Sequence, residues 1–346
     1  MDIKKVQDAD LEGKKVILRV DFNVSMEDGK VKETFKIEAA KETLDYLLGK
    51  KAKVALLSYF GRPEGKVDLK FSMEQLVVDV QRVLEVKIKF VSDCVGEKVK
   101  KGLDVLKDGE VLLLENARFY PGEDKNDENL AKQMAEGFEI FINDAFSQSH
   151  RNQSSITGIT KFLPNFAGFQ LQREIVEMEK IKNDFARPAV AIIGGAKIET
   201  KLPVIKFFEK SYDYVLVGGK IANEALDQKI DFSEKVILPI DFIDNRLDIG
   251  PATVKKFQEI ISKAKTIVWN GPLGKFEEEK YSHGTEDIFQ ALLELEAYKV
   301  TGGGETLEIL EEKQAFDKFS FISTGGGAML EYLAGGKMPG IKILEI

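Results

Sequence analysis

The sequence predicts an α/β protein of two doubly wound parallel-sheet (Rossmann-like) domains, and three observations lead there. Its 346 residues exceed the ~250–300 beyond which a single core usually stops growing. Short apolar runs rich in Val, Ile and Leu alternate with longer helical patterns, as parallel strands joined by helical crossovers do. The runs also end differently in the two halves. Those at 18–23 (LRVDFN), 56–62 (LLSYFGR), 113–118 (LLENAR) and 140–146 (IFINDAF) close on Asp, Asn or Arg. Those at 190–197 (VAIIGGAK), 215–220 (VLVGGK), 267–274 (IVWNGPLG), 299–306 (KVTGGGET) and 321–327 (FISTGGG) close on glycine.

In order, the first half predicts a strand at 16–20 and a helix at 37–49, a strand at 54–58 and a helix at 72–84, then a strand at 111–114 and a helix at 129–136. The second half predicts strands at 190–193, 214–217, 236–238, 266–269 and 319–323. Between them, 163–168 (LPNFAG) breaks the pattern with Pro and Gly. Beyond it Leu171, Ile175, Met178 and Ile181 recur at helical spacing, so a helix is expected to join domains at 1–167 and 183–334 across 168–182.

Composition excludes several classes of function. A formal charge of −8, from 58 acidic and 50 basic residues, argues against a general binder of nucleic acid or membrane surfaces, so any anion site must be a local basic cluster. Cys94 is the only cysteine, which rules out an internal disulfide and a cysteine-rich zinc site. Only His150 and His283 are histidines, and no G-x-S-x-G elbow surrounds a serine. The opening residues lack the apolar core of a signal peptide, and no run of about 18 apolar residues is present, so a cytoplasmic location is expected.

Ligands of open parallel sheets bind beyond the carboxyl ends of the strands, where these two sets of run ends fall. Each Asp or Asn there could instead cap a helix, and each Gly could merely permit a turn. Arginine tips the balance. It occurs eight times against 42 lysines, yet Arg19, Arg62, Arg118 and Arg151 all lie in or beside the first-half motifs, where a guanidinium fork suits carboxylate or phosphate. Arg82, Arg173, Arg187 and Arg246 read as structural or surface residues. The glycine runs fit neither G-x-x-x-x-G-K-[ST] nor G-x-G-x-x-G after the first strand, which leaves phosphate held on bare helix N-termini after TGGGET and STGGG. Lys197 and Lys201 lie one helical turn apart, so both ammonium groups suit one phosphoryl group.

In this order and across nearly the whole chain, LRVDFNV, SYFGRP, LLLENARFY, NDAFSQSHR, GGAKIETK, LDIGP, IVWNGPLGKFE, TGGGETLE and FISTGGGAMLEYL resemble the phosphoglycerate kinase family. The resemblance implies two α/β domains facing each other across a hinged cleft, with the tail 335–346 returning to the first. It implies reversible phosphoryl transfer between 1,3-bisphosphoglycerate with ADP and 3-phosphoglycerate with ATP, Mg2+ accompanying the nucleotide, in a monomer. Carried onto this sequence, Asp21, Phe22, Asn23, Lys36, Tyr59, Phe60, Gly61, Arg62, Arg118 and Arg151 would bind the acid. Lys36, Lys197 and Lys201 would serve catalysis. Lys201, Asn270, Glu277, Gly303, Gly304, Glu305 and Thr306 would bind the nucleotide, with Glu305 at the metal and Glu277 at the ribose.

This chain departs from the family pattern inside the site. Lys36 stands for an arginine and keeps the charge without the fork, with Phe35 beside it in place of a small polar residue. Tyr59 and Gln153 stand for histidines, Glu305 for an aspartate, Lys220 for a glycine and Lys275 for a small apolar residue. The stretch between Ala225 and Val236 is short for the family. These replacements keep a second reading in view, a non-catalytic relative that binds a phosphorylated acid or nucleotide.

Overall fold

Val16, Ile17 and Leu18 are all fully buried, as expected of a central parallel strand covered on both faces. Val16 and Leu18 belong to one apolar cluster with Leu44, Leu47, Val54 and Leu56. Ile17 belongs to another with Ala55, Leu57, Leu112, Leu114 and Phe141. The period of two along the strand thus assigns alternate residues to the two faces of one sheet. Each such side chain contributes about 1.5–3 kcal/mol by leaving water, and Leu18→Ala would cost about 2–5 kcal/mol at this packing.

The structure, a computed structural model, describes residues 1–107 and 109–346. Two compact units are present, Met1–Ile175 with Lys337–Ile346, and Val176–Gly336. The division falls inside the helix Phe169–Asn183, the one expected to join the domains.

The first unit contains β1 (Lys15–Arg19), a hairpin of β2 (Met26–Glu27) and β3 (Lys30–Val31), β4 (Lys53–Leu57), β5 (Lys87–Val91), β6 (Glu110–Leu114), β7 (Ile140–Asn143) and β8 (Asn165–Ala167). Six of these form a parallel sheet in the order β5-β6-β4-β1-β7-β8. The chain leaves β1 toward β4 on one side and returns on the other at β7. The segment 337–346 belongs to this unit. Lys4 N–H donates to the Leu344 carbonyl at 2.9 Å, and Gly340 exchanges bonds with Ser149 and Asn143 at 2.9 and 3.1 Å.

The second unit contains β9 (Ala189–Ile193), β10 (Tyr214–Val217), β11 (Val236–Ile237), a hairpin of β12 (Phe242–Ile243) and β13 (Asp248–Ile249), β14 (Thr266–Asn270), β15 (Tyr298–Gly302) and β16 (Phe321–Ser323). Its parallel sheet runs β11-β10-β9-β14-β15-β16. The order reverses between β9 and β14, the point at which doubly wound sheets open a ligand crevice.

Three differences from the sequence reading have local causes. The edge strand β5 (KIKFV) was not anticipated, because lysines that protect an edge also dilute its apolar signal. The stretch 163–168, read as a break, supplies edge strand β8. The helix expected at 37–49 is two helices, Phe35–Glu38 and Lys41–Gly49, separated where Ala40 N–H bonds tightly back to the Ile37 carbonyl at 3.1 Å. Among the described residues no helix is long and apolar enough to cross a membrane.

Candidate active site

Beyond the carboxyl end of β1, the groups expected to meet an acid are bonded to one another. Asp21 is buried; one carboxylate oxygen accepts from the Ser147 hydroxyl and the other from Asn23 N–H at 3.0 Å. Lys36 Nζ lies 3.8 Å from Asp21 and donates to the Asn23 carbonyl at 2.9 Å. Asn23 Oδ1 accepts from Gly61 N–H at 2.8 Å. Gly61 has φ +63°, and a Cβ there would run into the Phe71 ring, so the turn requires glycine. Phe60 completes it by offering its carbonyl to Asn116 Nδ2 at 2.6 Å.

Arg118 sits on the short turn Ala117–Phe119 that follows β6, with its N–H capped by Asn116 Oδ1 at 3.0 Å. Its Nη1 donates to the Gly61 carbonyl at 3.0 Å, its Nη2 to Gln148 Oε1 at 3.3 Å, and its guanidinium carbon lies 3.8 Å from the centroid of the Tyr59 ring. Asp21, Asn23, Lys36, Tyr59, Gly61 and Arg118 are thereby brought together. Arg62 and Arg151 extend from the same loops, exposed, and their side chains have no partner among the described residues. One guanidinium held in place and two left free make a site suited to an acid bearing carboxylate and phosphate.

Two expectations need correction. Arg19 is not available to an anion: it is buried, donates to Ser155 Oγ at 3.0 Å and to the Val20 carbonyl, and its charge faces buried Glu123. Ser155 links the two, donating to Glu123 Oε1 at 2.5 Å. Phe22 turns into the apolar core and is fully buried, while its N–H is taken by Ser58 Oγ at 2.8 Å, so it packs rather than binds.

In the second unit, the loops after β9, β10 and β14 pack backbone on backbone. Gly194 and Gly195 N–H donate to the Asn270 and Pro272 carbonyls at 2.9 and 3.1 Å, and Gly219 N–H to the Leu273 carbonyl at 2.7 Å. A Cβ at Gly194 or Gly271 would strike the facing main chain, one at Gly218 would strike Leu273, and one at Gly326 would strike Gly303. These glycines serve loop packing. Gly304 and Gly327 differ, because a Cβ there meets nothing within 4 Å. Both stand in the first turns of helices, Gly304–Glu312 and Gly326–Leu333, where N–H groups lack intrahelical partners and favour an anion.

Lys197 is the exposed N-cap of the helix Ile198–Ser211, and Lys201 lies one turn further in. Lys201 donates to Asn270 Oδ1, and burial pushes its ammonium down to about 8, opposed by Glu305. Asn270 Nδ2 donates to the Gly302 carbonyl, and Thr306 Oγ1 accepts from Gly271 N–H at 3.0 Å. Glu305 is exposed as a residue, yet desolvation of its carboxyl pushes that group up, against the pull of Lys201. A cavity of about 490 Å3 adjoins these groups, and its lining includes Gly195, Lys220, Arg246, Lys275, Glu277 and Glu305. Its size suits a drug-sized or nucleotide-sized ligand.

The family model for phosphoglycerate kinase matches residues 6–237 and 228–336. The chain belongs to the phosphoglycerate kinase family. It is 38% identical to a phosphoglycerate kinase of Pelotomaculum thermopropionicum, covering 99% of this chain and 98% of that one. It is 37% identical to one from a Wolbachia of Drosophila simulans, covering 100% and 99%. Among solved structures it is similar to the phosphoglycerate kinase of Pyrococcus horikoshii OT3, with a TM-score of 0.87 at 29% identity over 99% and 98% of the two chains. That of Coxiella burnetii gives 0.82 at 33% identity over 99% of each.

This chain is shorter than the first of these relatives. The alignment to the first relative runs to 387 positions against 346 residues here, so that relative carries stretches this chain lacks. The two segments of the family match overlap at 228–237, where only a short loop separates the helix Gly219–Asp227 from β11. Arg246, set aside by sequence reasoning, lines the cavity and pairs with Asp227 at 2.7 Å. No local signal marked it, since it enters the site through folding. Ser147 and Gln148 were also missed, although they lie inside the NDAFSQSHR motif; reading that motif position by position would have raised them.

Proposed function

We propose that this chain catalyses reversible phosphoryl transfer between 1,3-bisphosphoglycerate with ADP and 3-phosphoglycerate with ATP, with the acid on the first unit and the nucleotide on the second. The observation that carries the reading is the pair of unengaged guanidinium groups, Arg62 and Arg151, beside the bonded Asp21–Asn23–Lys36–Arg118 cluster. It occurs in a chain that matches phosphoglycerate kinases from end to end. Lys197 and Lys201 supply cationic charge for the moving phosphoryl group, and the first-turn N–H groups at Gly304 and Gly327 suit nucleotide phosphates. Transfer requires the two ligands to meet, and domain closure would accomplish it.

Mg2+ fits the nucleotide side. Among the described residues no cluster of three metal-ligating side chains exists, so the protein's share would fall to the Glu305 carboxylate, which borders the cavity. Nucleotide phosphates and water would complete the shell, and the ion would neutralise phosphate charge. Glu277, exposed at the cavity rim, suits the ribose hydroxyls.

A coupled assay with ATP, Mg2+ and 3-phosphoglycerate tests the reading. Turnover well above that of a Lys201→Ala control is expected; turnover no higher would leave the non-catalytic alternative. That alternative is disfavoured by the retention of both lysines, Arg62, Arg118, Arg151 and both glycine runs.

A further inference from the structure

Both ends of the Gln148 amide are engaged. Its Oε1 accepts from Arg118 Nη2 at 3.3 Å, and its Nε2 donates to the Tyr59 hydroxyl at 2.7 Å. The Tyr59 ring lies 3.8 Å from the Arg118 guanidinium carbon, and Arg118 Nη1 donates to the Gly61 carbonyl at 3.0 Å. Amide to guanidinium, guanidinium to ring face and phenol to amide therefore form a closed circuit. Gln148 and Tyr59 are each 5% exposed, so water competes little for these bonds.

An unrestrained arginine loses rotamer freedom when it takes an anion, whereas one fixed during folding has already lost it. An amide restrains the fork while leaving its positive charge intact, which a carboxylate at the same place would cancel. Cation and ring add attraction beyond the hydrogen bonds. Arg62 and Arg151, by contrast, have no comparable restraint.

We propose that Gln148, together with Tyr59, is a positioning residue that holds the Arg118 fork in the orientation in which it receives the phosphorylated acid. The inference rests on the acid-site reading given above. Calorimetric titration of 3-phosphoglycerate into the full chain tests it, with wild type, Gln148→Ala, Tyr59→Phe and the double variant compared, alongside steady-state KM values and thermal unfolding. Gln148→Ala is expected to weaken acid binding roughly tenfold and Tyr59→Phe about threefold. The double variant should be no weaker than Gln148→Ala alone by more than about twofold, because both changes open one circuit. Nucleotide KM should stay unchanged. Equal acid affinity in wild type and both single variants would overturn the proposal, as would acid and nucleotide KM rising together with a fall in Tm. If Gln148→Ala does not fold, Tyr59→Phe, which keeps the ring, decides by the same readouts. A wild type that binds no 3-phosphoglycerate would instead remove the acid-site reading itself.

Discussion

In the first unit, most of the groups assigned to the acid are side chains already bonded to one another: Asp21 to Ser147, Asn23 to Gly61, Lys36 to Asn23, Arg118 to Gln148. In the second, the assigned phosphate groups are main-chain N–H groups in open first turns, next to an exposed Lys197. A small, rigid acid rewards a site whose side chains are fixed in advance, since each ordered group raises discrimination. A polyphosphate that arrives with its own cation is served by backbone dipoles, which need no side-chain ordering at all. The two half-sites thus place their preorganisation at different levels, side chain in one and backbone in the other.

The largest test of that contrast is Lys201, a nucleotide-side cation that is itself part-buried and bonded to Asn270. Lys201→Ala should lower kcat by about 10²–10³ in the coupled assay with little change in acid affinity. Its pH behaviour has a definite sign. With an ammonium pushed down to about 8, the free enzyme loses this cation as pH rises through about 8, so kcat/KM for nucleotide should fall there. Its stability contribution runs the opposite way. The unfolded chain holds this proton up to about 10.5, so stability from Lys201 grows between about 8 and 10.5. Activity and Tm measured in parallel across that window would separate the two.

Lys36 tests the acid side. Lys36→Ala should lower kcat by well over about tenfold, while Lys36→Arg should match or exceed wild type by restoring a fork. An unchanged rate in the alanine variant would remove Lys36 from the mechanism.

Paired glycine substitutions sharpen the nucleotide side. Gly194→Ala would drive a methyl into the Pro272 carbonyl and should cost about 1–3 kcal/mol in denaturant unfolding. Gly304→Ala has open space and a helical position, so stability should hold or rise by a few tenths of a kcal/mol, while nucleotide affinity falls. Equal losses of stability in both would erase the distinction between packing glycines and phosphate glycines.

The smallest expected effect concerns Asp144. It is buried, accepts from Leu171 N–H at 3.0 Å in the first turn of the helix Phe169–Asn183, and burial pushes its carboxyl up to about 7. The folded state therefore holds a proton that the unfolded state releases near its ordinary 3.8, and stability from this group is lost as pH rises through about 7. The Tm of Asp144→Asn minus that of wild type should grow by a few degrees, about 2–4 °C, between pH 5 and pH 8.

Much of this architecture was legible in the chain. The continuous apolar runs of β1 and β4, buried on both faces, and the glycines at the ends of β9, β10 and β14 were written in short runs, where physics acts between near neighbours. What escaped depended on distance. The burial of Arg19 against Glu123 joins residues about a hundred positions apart, and Arg246 reaches the cavity only once its loop has folded. The glycines looked alike in sequence, yet Gly194 and Gly304 differ entirely in what surrounds them. Only the facing loop distinguishes a glycine that avoids a clash from one that faces open space.

The segment 337–346 lends its Gly340 carbonyl to Asn143 and its Gly340 N–H to Ser149, two residues before Arg151. The second unit, Val176–Gly336, is thus inserted between the two parts of the first. For a chain made from its N-terminus, the first unit begins first and finishes last, waiting on the whole intervening unit for its final contacts. An interrupted synthesis would then yield a complete glycine-rich sheet and a first unit whose Arg151 loop lacks its support; on the function proposed above, such a product would keep the nucleotide and lose the acid.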